Sequence, residues 1–244
     1  MSGAIVQLTL QVGLDDSSTF DNFYIASANS QALGYLYAQQ SSQLEQFTYL
    51  WGSTGSGRSH LLQSVCHQFD ARDAASFYLS LRQFADYAPE ILDGLEAMEL
   101  VCLDDLEAIA GNKAWEFALF SLFNRLRESN TRLIVASNCA SRELPIVLPD
   151  LLSRLQSGVI FQLHGLRDEE KRFALQLRAT QRGIALSEEV LNYVLQRNDR
   201  SMQALFTLLE QLDQFALETK RRITVPLLRE LMDRTYSANQ SGVL

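Results

Sequence analysis

The chain has 244 residues, 47% of them hydrophobic, with 12 glycines, 4 prolines and a formal net charge of −8. That apolar content supports a packed core, in one large domain or two small ones, and the scarcity of glycine and proline excludes long disordered stretches. The acidic balance excludes a broad basic footprint for DNA and leaves only the local patch Lys220-Arg221-Arg222.

Residues 1–19 are polar with isolated hydrophobes and are expected outside the core; no basic-then-apolar export signal opens the chain. Asn29 has the chemistry of a cap for a helix running to about residue 40, with Ala32, Leu33, Leu36 and Tyr37 on one face. Strands and helices then alternate: a strand at 47–51, a helix at 58–69, a strand at 76–79, a helix near 81–88 and a strand at 100–103. A helix at 113–129 points Trp115, Leu119, Leu122, Phe123 and Leu126 inward; a strand at 133–136, a short helix at 150–156 and a strand at 159–163 follow. Short apolar strands alternating with helices predict a five-stranded parallel sheet covered on both faces.

After about residue 165 the pattern turns all-helical, at 168–182, 188–197, 201–219 and 225–235. Ser187 before Glu188-Glu189, and Thr224 before Pro226, read as helix starts. The coarse architecture is thus an α/β domain over 19–165 and a small all-α lid over 166–240, with a separate N-terminal segment over 1–18. No stretch of about 18 apolar residues exists to span a membrane. Cys66, Cys102 and Cys139 lie in apolar or helical contexts without metal-ligand spacing, and read as reduced core thiols of a cytoplasmic protein.

The chemistry concentrates where the first strand meets the next helix. Gly52-Ser53-Thr54-Gly55-Ser56-Gly57-Arg58-Ser59 follows the phosphate-loop pattern, with Arg58 in place of lysine. Glycine there lets backbone N–H groups approach a phosphate, and the next helix presents its N-terminus to it. Ser59 is placed to ligate Mg²⁺, while Arg58 keeps the charge but not the compact ammonium of lysine. Leu100-Val101-Cys102-Leu103-Asp104-Asp105 is an apolar strand ending in two acids: Asp104 suits Mg²⁺ through water, and Asp105 suits an attacking water. Asn138, ending Leu133-Ile134-Val135-Ala136-Ser137, can face a terminal phosphate or simply cap a turn.

Phosphate loop, acidic strand end, strand-Ser-Asn and helical lid together resemble an AAA+ ATPase. Ser18-Thr19-Phe20-Asp21-Asn22-Phe23-Tyr24 with Ser27-Ala28-Asn29, and Gly57-Arg58-Ser59-His60-Leu61-Leu62, are similar to the AAA+ domain of the replication initiator DnaA. Arginine in the loop and the short length point to the Hda family of DnaA-homologous inactivators. The resemblance runs over about residues 18–235, and implies neither the oligomerisation domain nor the helix-turn-helix domain that flank this region in DnaA.

Several roles follow from the resemblance alone. Arg154, in Leu151-Leu152-Ser153-Arg154-Leu155, corresponds to an arginine finger that acts in a neighbouring molecule; its plain alternative is an ion-paired surface arginine. Gln203 stands where the lid of DnaA carries a sensor arginine, a departure that Arg200 either offsets or does not. Phe23, Tyr24 and Ile25 correspond to the base-contacting segment, and His60 joins the nucleotide-binding set. Gln7-Leu8-Thr9-Leu10 resembles the peptide that binds the β subunit of DNA polymerase III, the sliding clamp, although an alternating strand reads the same way.

The implied protein is a cytoplasmic, replisome-associated regulator. It binds ADP or another nucleoside diphosphate, with Mg²⁺ as a companion, and has little or no intrinsic ATPase activity. It meets DNA only through the clamp, promotes hydrolysis of DnaA-bound ATP and is capable of homo-oligomerisation. The alternative is an autonomous AAA+ ATPase, a helicase loader or DnaA-like motor.

Overall fold

A computed structural model describes residues 14, 15, 18–39, 41, 44–197 and 201–241. Two compact units divide them: the first takes in Gln31–Ser53 and Gly57–Leu163 with the described residues before Asp21, and the second Asp21–Ser30, Thr54–Ser56 and the residues from His164 onward.

The first unit is built on a five-stranded sheet of β1 (Phe47–Gly52), β2 (Ser76–Ser80), β3 (Leu100–Asp104), β4 (Arg132–Ser137) and β5 (Val159–Leu163), in the order β2-β3-β4-β1-β5. Every pairing is parallel, as the alternating pattern predicts. Each crossover carries helical structure: α1 (Ser30–Tyr37) precedes β1, α2 (Arg58–Asp70) and the single-turn α3 (Leu81–Phe84) follow β1 and β2, and α4 (Lys113–Ser129) and α5 (Pro149–Leu155) follow β3 and β4. All five residues of β3 are buried, as a strand covered on both faces requires. The inward stripe of α4 is the expected one: Trp115, Leu119, Leu122, Phe123 and Leu126 join a core with Phe47, Tyr49, Leu103 and Leu151. Asn112 caps this helix, its Oδ1 accepting from the N–H groups of Ala114 at 3.1 Å and Trp115 at 3.4 Å.

Three expectations change. Asn29 caps no helix. It closes a 3₁₀ turn, and its side chain exchanges a pair of hydrogen bonds with the backbone of His164, each 2.9 Å. The helix expected to reach residue 88 stops at Phe84, and a second short turn starts at Pro89. Proline disfavours helical backbone in the residue before it, and Ala88 is extended, with φ −74° and ψ 139°. The segment before residue 20 is not wholly outside the core either: Ser18 is buried, and its carbonyl accepts from the Ser64 hydroxyl of α2 at 3.2 Å.

Cys66 and Cys102 are buried free thiols and Cys139 is a half-buried one. Burial pushes the Cys102 thiol up, with Cys66 beside it adding to the effect.

The second unit holds α6 (Asp168–Gln181), α7 (Glu188–Arg197), α8 (Met202–Thr219) and α9 (Val225–Ser241). Their apolar stripes meet in one core, where Leu175, Val190, Leu191, Leu205, Leu212, Leu227 and Leu228 are almost wholly enclosed. The helix starts read from the sequence are real. The Ser187 hydroxyl accepts from Val190 N–H at 3.4 Å and Thr224 from Leu227 at 3.4 Å; the structure adds a third cap, Ser201, whose hydroxyl accepts from Ala204 at 3.3 Å.

Candidate functional site

β1 ends at Gly52 in the interior of the sheet, and the chain turns through the glycine-rich loop into α2. Gly55 and Gly57 have φ of +81° and +95°, a left-handed backbone in which a side chain is strained. Gly57 is the residue before α2, so the turn delivers the chain straight into a helix N-terminus whose first N–H groups have no partner within the helix. Such an end attracts anions. Ser53, Thr54, Gly55 and Ser59 are exposed, while Arg58 is buried. No ion pair of Arg58 exists among the described residues, and its Nη1 is enclosed without a hydrogen-bond partner. A buried, unpaired guanidinium is costly, and an anion in the loop is the group that would satisfy it. His60 is turned the other way, its Nε2 2.9 Å from the Thr19 carbonyl.

The carboxyl end of β3 lies beside this loop. Asp104 is fully enclosed; its Oδ1 accepts from the Asp105 N–H at 2.8 Å and its Oδ2 from the Tyr78 hydroxyl at 3.1 Å. Burial pushes its carboxyl above the ordinary range, opposed by the nearby Ser59 hydroxyl and the Arg58 charge. Asp104 and Ser59 therefore converge, and two hard oxygen donors suit a magnesium ion that keeps its other waters. Asp105 adjoins Asp104, and its charge adds to the upward push on that carboxyl. Its backbone is left-handed at φ 56°, and its carboxylate accepts from the Ser80 hydroxyl at 2.9 Å and from Arg82 Nη2 at 3.4 Å.

Glu107, which the sequence reading passed over, ties the region together. Its Oε2 accepts from the Ser137 hydroxyl at 3.0 Å and the Asn138 N–H at 3.1 Å, and its Oε1 from Arg82 Nη2 at 2.8 Å. The ends of β2, β3 and β4 are thereby joined through Arg82 and Glu107. The available signal was an acid inside the apolar run Leu106-Glu107-Ala108-Ile109, where a charge needs partners. Asn138 itself is exposed at the end of β4. Tyr49 of β1 lies under this edge, its hydroxyl donating to the Cys139 carbonyl at 2.9 Å; burial pushes its phenol well above the ordinary value.

In the second unit Tyr24 stacks on Phe173 of α6 with ring centroids 6.2 Å apart and planes 11° apart. Phe23 is half-buried, while Ile25 and Phe173 keep more than half their surface exposed. Gln203 is exposed in the first turn of α8. Gln7, Leu8, Thr9, Leu10 and Arg200 lie outside the described residues.

Arg154 is at the other end of the first unit. It lies in the last turn of α5, and its guanidinium carbon is 5.6 Å from the centre of the Phe123 ring. With Phe47, Leu133, Ser157 and Gly158 it lines a cavity of about 300 Å³ where β1, β4 and β5 begin. β1 has six residues, so this cavity and the phosphate loop stand roughly 17 Å apart along the strand at ~3.3 Å per residue. No carboxylate pairs with Arg154 among the described residues, contrary to the ion-paired alternative.

A family model for the bacterial DnaA ATPase domain matches residues 14–162, and a model for the Hda lid domain matches residues 168–232. The chain belongs to the bacterial DnaA ATPase domain family. Its second unit carries the lid of the Hda type, which makes it an Hda-like, DnaA-homologous AAA+ protein. Solved structures agree on the fold. Domain III of the Thermotoga maritima replication initiation protein DnaA superposes with a TM-score of 0.78 at 22% identity, over 91% of this chain and 98% of that one. AMPPCP-bound DnaA from Aquifex aeolicus gives 0.70 at 21% identity, over 84% of this chain and 68% of that one. The Thermotoga maritima RuvB Holliday junction branch migration motor gives 0.65 at 16% identity, over 88% and 71%. The expected AAA+ architecture, a five-stranded parallel sheet with a helical lid, is therefore the observed one.

Proposed function

We propose that this DnaA-family protein is a regulator that holds a nucleoside diphosphate, docks on the DNA-loaded sliding clamp through Gln7-Leu8-Thr9-Leu10, and lends Arg154 to the ATP site of DnaA. Hydrolysis of the DnaA-bound ATP converts the initiator to its inactive form and suppresses new rounds of replication. The carrying observation is the position of Arg154. It stands a full strand length from its own phosphate loop and has no carboxylate partner among the described residues, so its charge is available to another molecule rather than to its own nucleotide. At a transferring phosphoryl group a planar, permanently charged guanidinium stabilises the developing charge.

The nucleotide of this chain has a different role. Bound phosphates would accept from Arg58, whose Nη1 has no hydrogen-bond partner among the described residues, with the loop N–H groups and the start of α2 completing the cradle. Ser59 and Asp104 would hold its magnesium ion. The rival reading, an autonomous ATPase, needs Asp105 to orient a water, but that carboxylate is engaged by Ser80 and Arg82. A regulator fits this arrangement better, and it belongs in the cytoplasm with the replisome.

The test is ATP hydrolysis by DnaA in the presence of clamp-loaded DNA. Wild-type chain is expected to stimulate it while hydrolysing little nucleotide alone. Absence of stimulation together with turnover by the isolated chain would overturn the regulator and install the motor.

Arg58 gives a second expectation, with opposite signs in two measurements. Replacing it by methionine removes an unpaired buried charge, so the nucleotide-free protein should melt at a higher temperature. The same change should weaken ADP binding more than about tenfold, since a charge-assisted contact of ~1.5–3 kcal/mol is lost. Calorimetric titration and a melting curve read the two effects; unchanged ADP affinity would remove Arg58 from the phosphate site.

A further inference from the structure

We infer that Phe123 is a positioning residue for Arg154: its ring is the shelf that holds the guanidinium extended at the partner-facing end of the sheet. The inference rests on the proposed transfer of Arg154 to another molecule, and assigns the part of this chain that makes the transfer efficient.

A free arginine has high rotamer entropy, and an arginine that must enter a distant site works best when few of its conformations are wrong. Arginines are commonly fixed by carboxylates. Arg154 has none among the described residues, and a carboxylate would in any case compete with the phosphoryl oxygens for the same donors. A ring face attracts the cation without using its N–H groups, which remain free for a phosphate. The geometry has that form: the guanidinium carbon stands 5.6 Å from the Phe123 centroid.

The shelf is itself fixed. Phe123 is 8% exposed and meets Phe47 edge to face, with centroids 5.0 Å apart and planes at 68°. Phe47 in turn is held against Gly158, where even a single added carbon would sit 2.3 Å from the Phe47 carbonyl oxygen. The base of the arginine is held as well: the Arg154 carbonyl accepts from the Ser157 hydroxyl at 2.8 Å and the Ser157 N–H at 3.0 Å. Backbone, ring and buttress are thus all fixed, and Arg154 lines the cavity beside them.

The experiment is DnaA ATP hydrolysis with loaded clamp, titrated with Phe123→Leu, Phe123→Tyr and Arg154→Ala chains, each checked by melting temperature and ADP affinity. Phe123→Leu keeps the bulk of the core but removes the ring face. It is expected to lower the maximal stimulated rate about fivefold, within the range of cation–ring attractions, while leaving the chain concentration at half-maximal stimulation unchanged. Phe123→Tyr is expected to restore the maximal rate. A full maximal rate with Phe123→Leu, a loss confined to half-saturation, or a tyrosine variant no better than leucine would overturn the inference. Full stimulation by Arg154→Ala would instead sink the proposed function. Loss with Arg154→Ala and none with Phe123→Leu would sink the shelf alone.

Discussion

Replacing Arg154 by alanine is expected to bring DnaA-bound ATP hydrolysis back to its unstimulated rate, a fall of about 10³-fold or more, the scale on which arginines supplied in trans act. The change should leave ADP affinity untouched, because Arg154 lines the cavity beside the start of β1 and the phosphate loop follows its end. Lysine should rescue little. It keeps the charge but loses both the fork that matches phosphoryl oxygens and the flat face that lies over Phe123. Single-turnover hydrolysis of DnaA-bound labelled ATP reads the effect directly. Stimulation surviving in Arg154→Ala would leave the chain as an adaptor that merely brings DnaA to the clamp.

The second large effect is on stability and comes from Glu116. Its carboxylate is buried, 1% exposed, in the first turn of α4. Oε1 accepts from the Gly111 N–H at 2.7 Å, and Oε2 from the N–H groups of Val147 at 2.9 Å and Leu148 at 2.8 Å. A negative charge at a helix N-terminus is favoured by the helix dipole. The three backbone donors satisfy it in return, so the loop before α5 is clamped onto α4. Glu116→Ala would leave these donors without their acceptor and a void beside them, costing about 3 kcal/mol. For a protein of this size that is a fall in melting temperature of roughly 6–12 °C. Glu116→Gln, which keeps one acceptor oxygen, should lose about half as much. Equal melting of all three proteins would show that the clamp carries no stability. Since residues 147–148 lead directly into α5, the same clamp also sets where Arg154 emerges.

What the sequence made legible was local. Strand β1, the glycines at positive φ and the start of α2 are encoded within a dozen neighbouring residues, and they fold as their pattern reads. The lid helices likewise announce themselves by spacing and by Ser187 and Thr224 at the starts of two of them. What escaped depends on partners distant in the chain. Asn29 has the composition of a cap, but its bonding partner is His164, and no local rule points there. Asp105 ends an apolar strand as a water-orienting acid would. Its actual partners, Ser80 and Arg82, are set by β2 lying beside β3 with Ser80 opposite Asp104. Glu107 and Glu116 are single acids in apolar surroundings. Their importance appears only once strand order and loop packing bring backbone N–H groups to them.

The parallel sheet gives the first unit a polarity, with phosphate loop and acids at one end and Arg154 at the other. A molecule that donates from one end and receives at the other makes unlike contacts, and unlike contacts do not close on themselves in pairs. Under the proposed transfer of Arg154, each added molecule would leave one donor end and one receiver end unfilled. In a mixture of this protein and DnaA, the identity of the neighbour at each junction would then be a matter of relative abundance. Excess copies of this chain would occupy one another's ends, so the dose–response for stimulation would pass through a maximum instead of reaching a plateau.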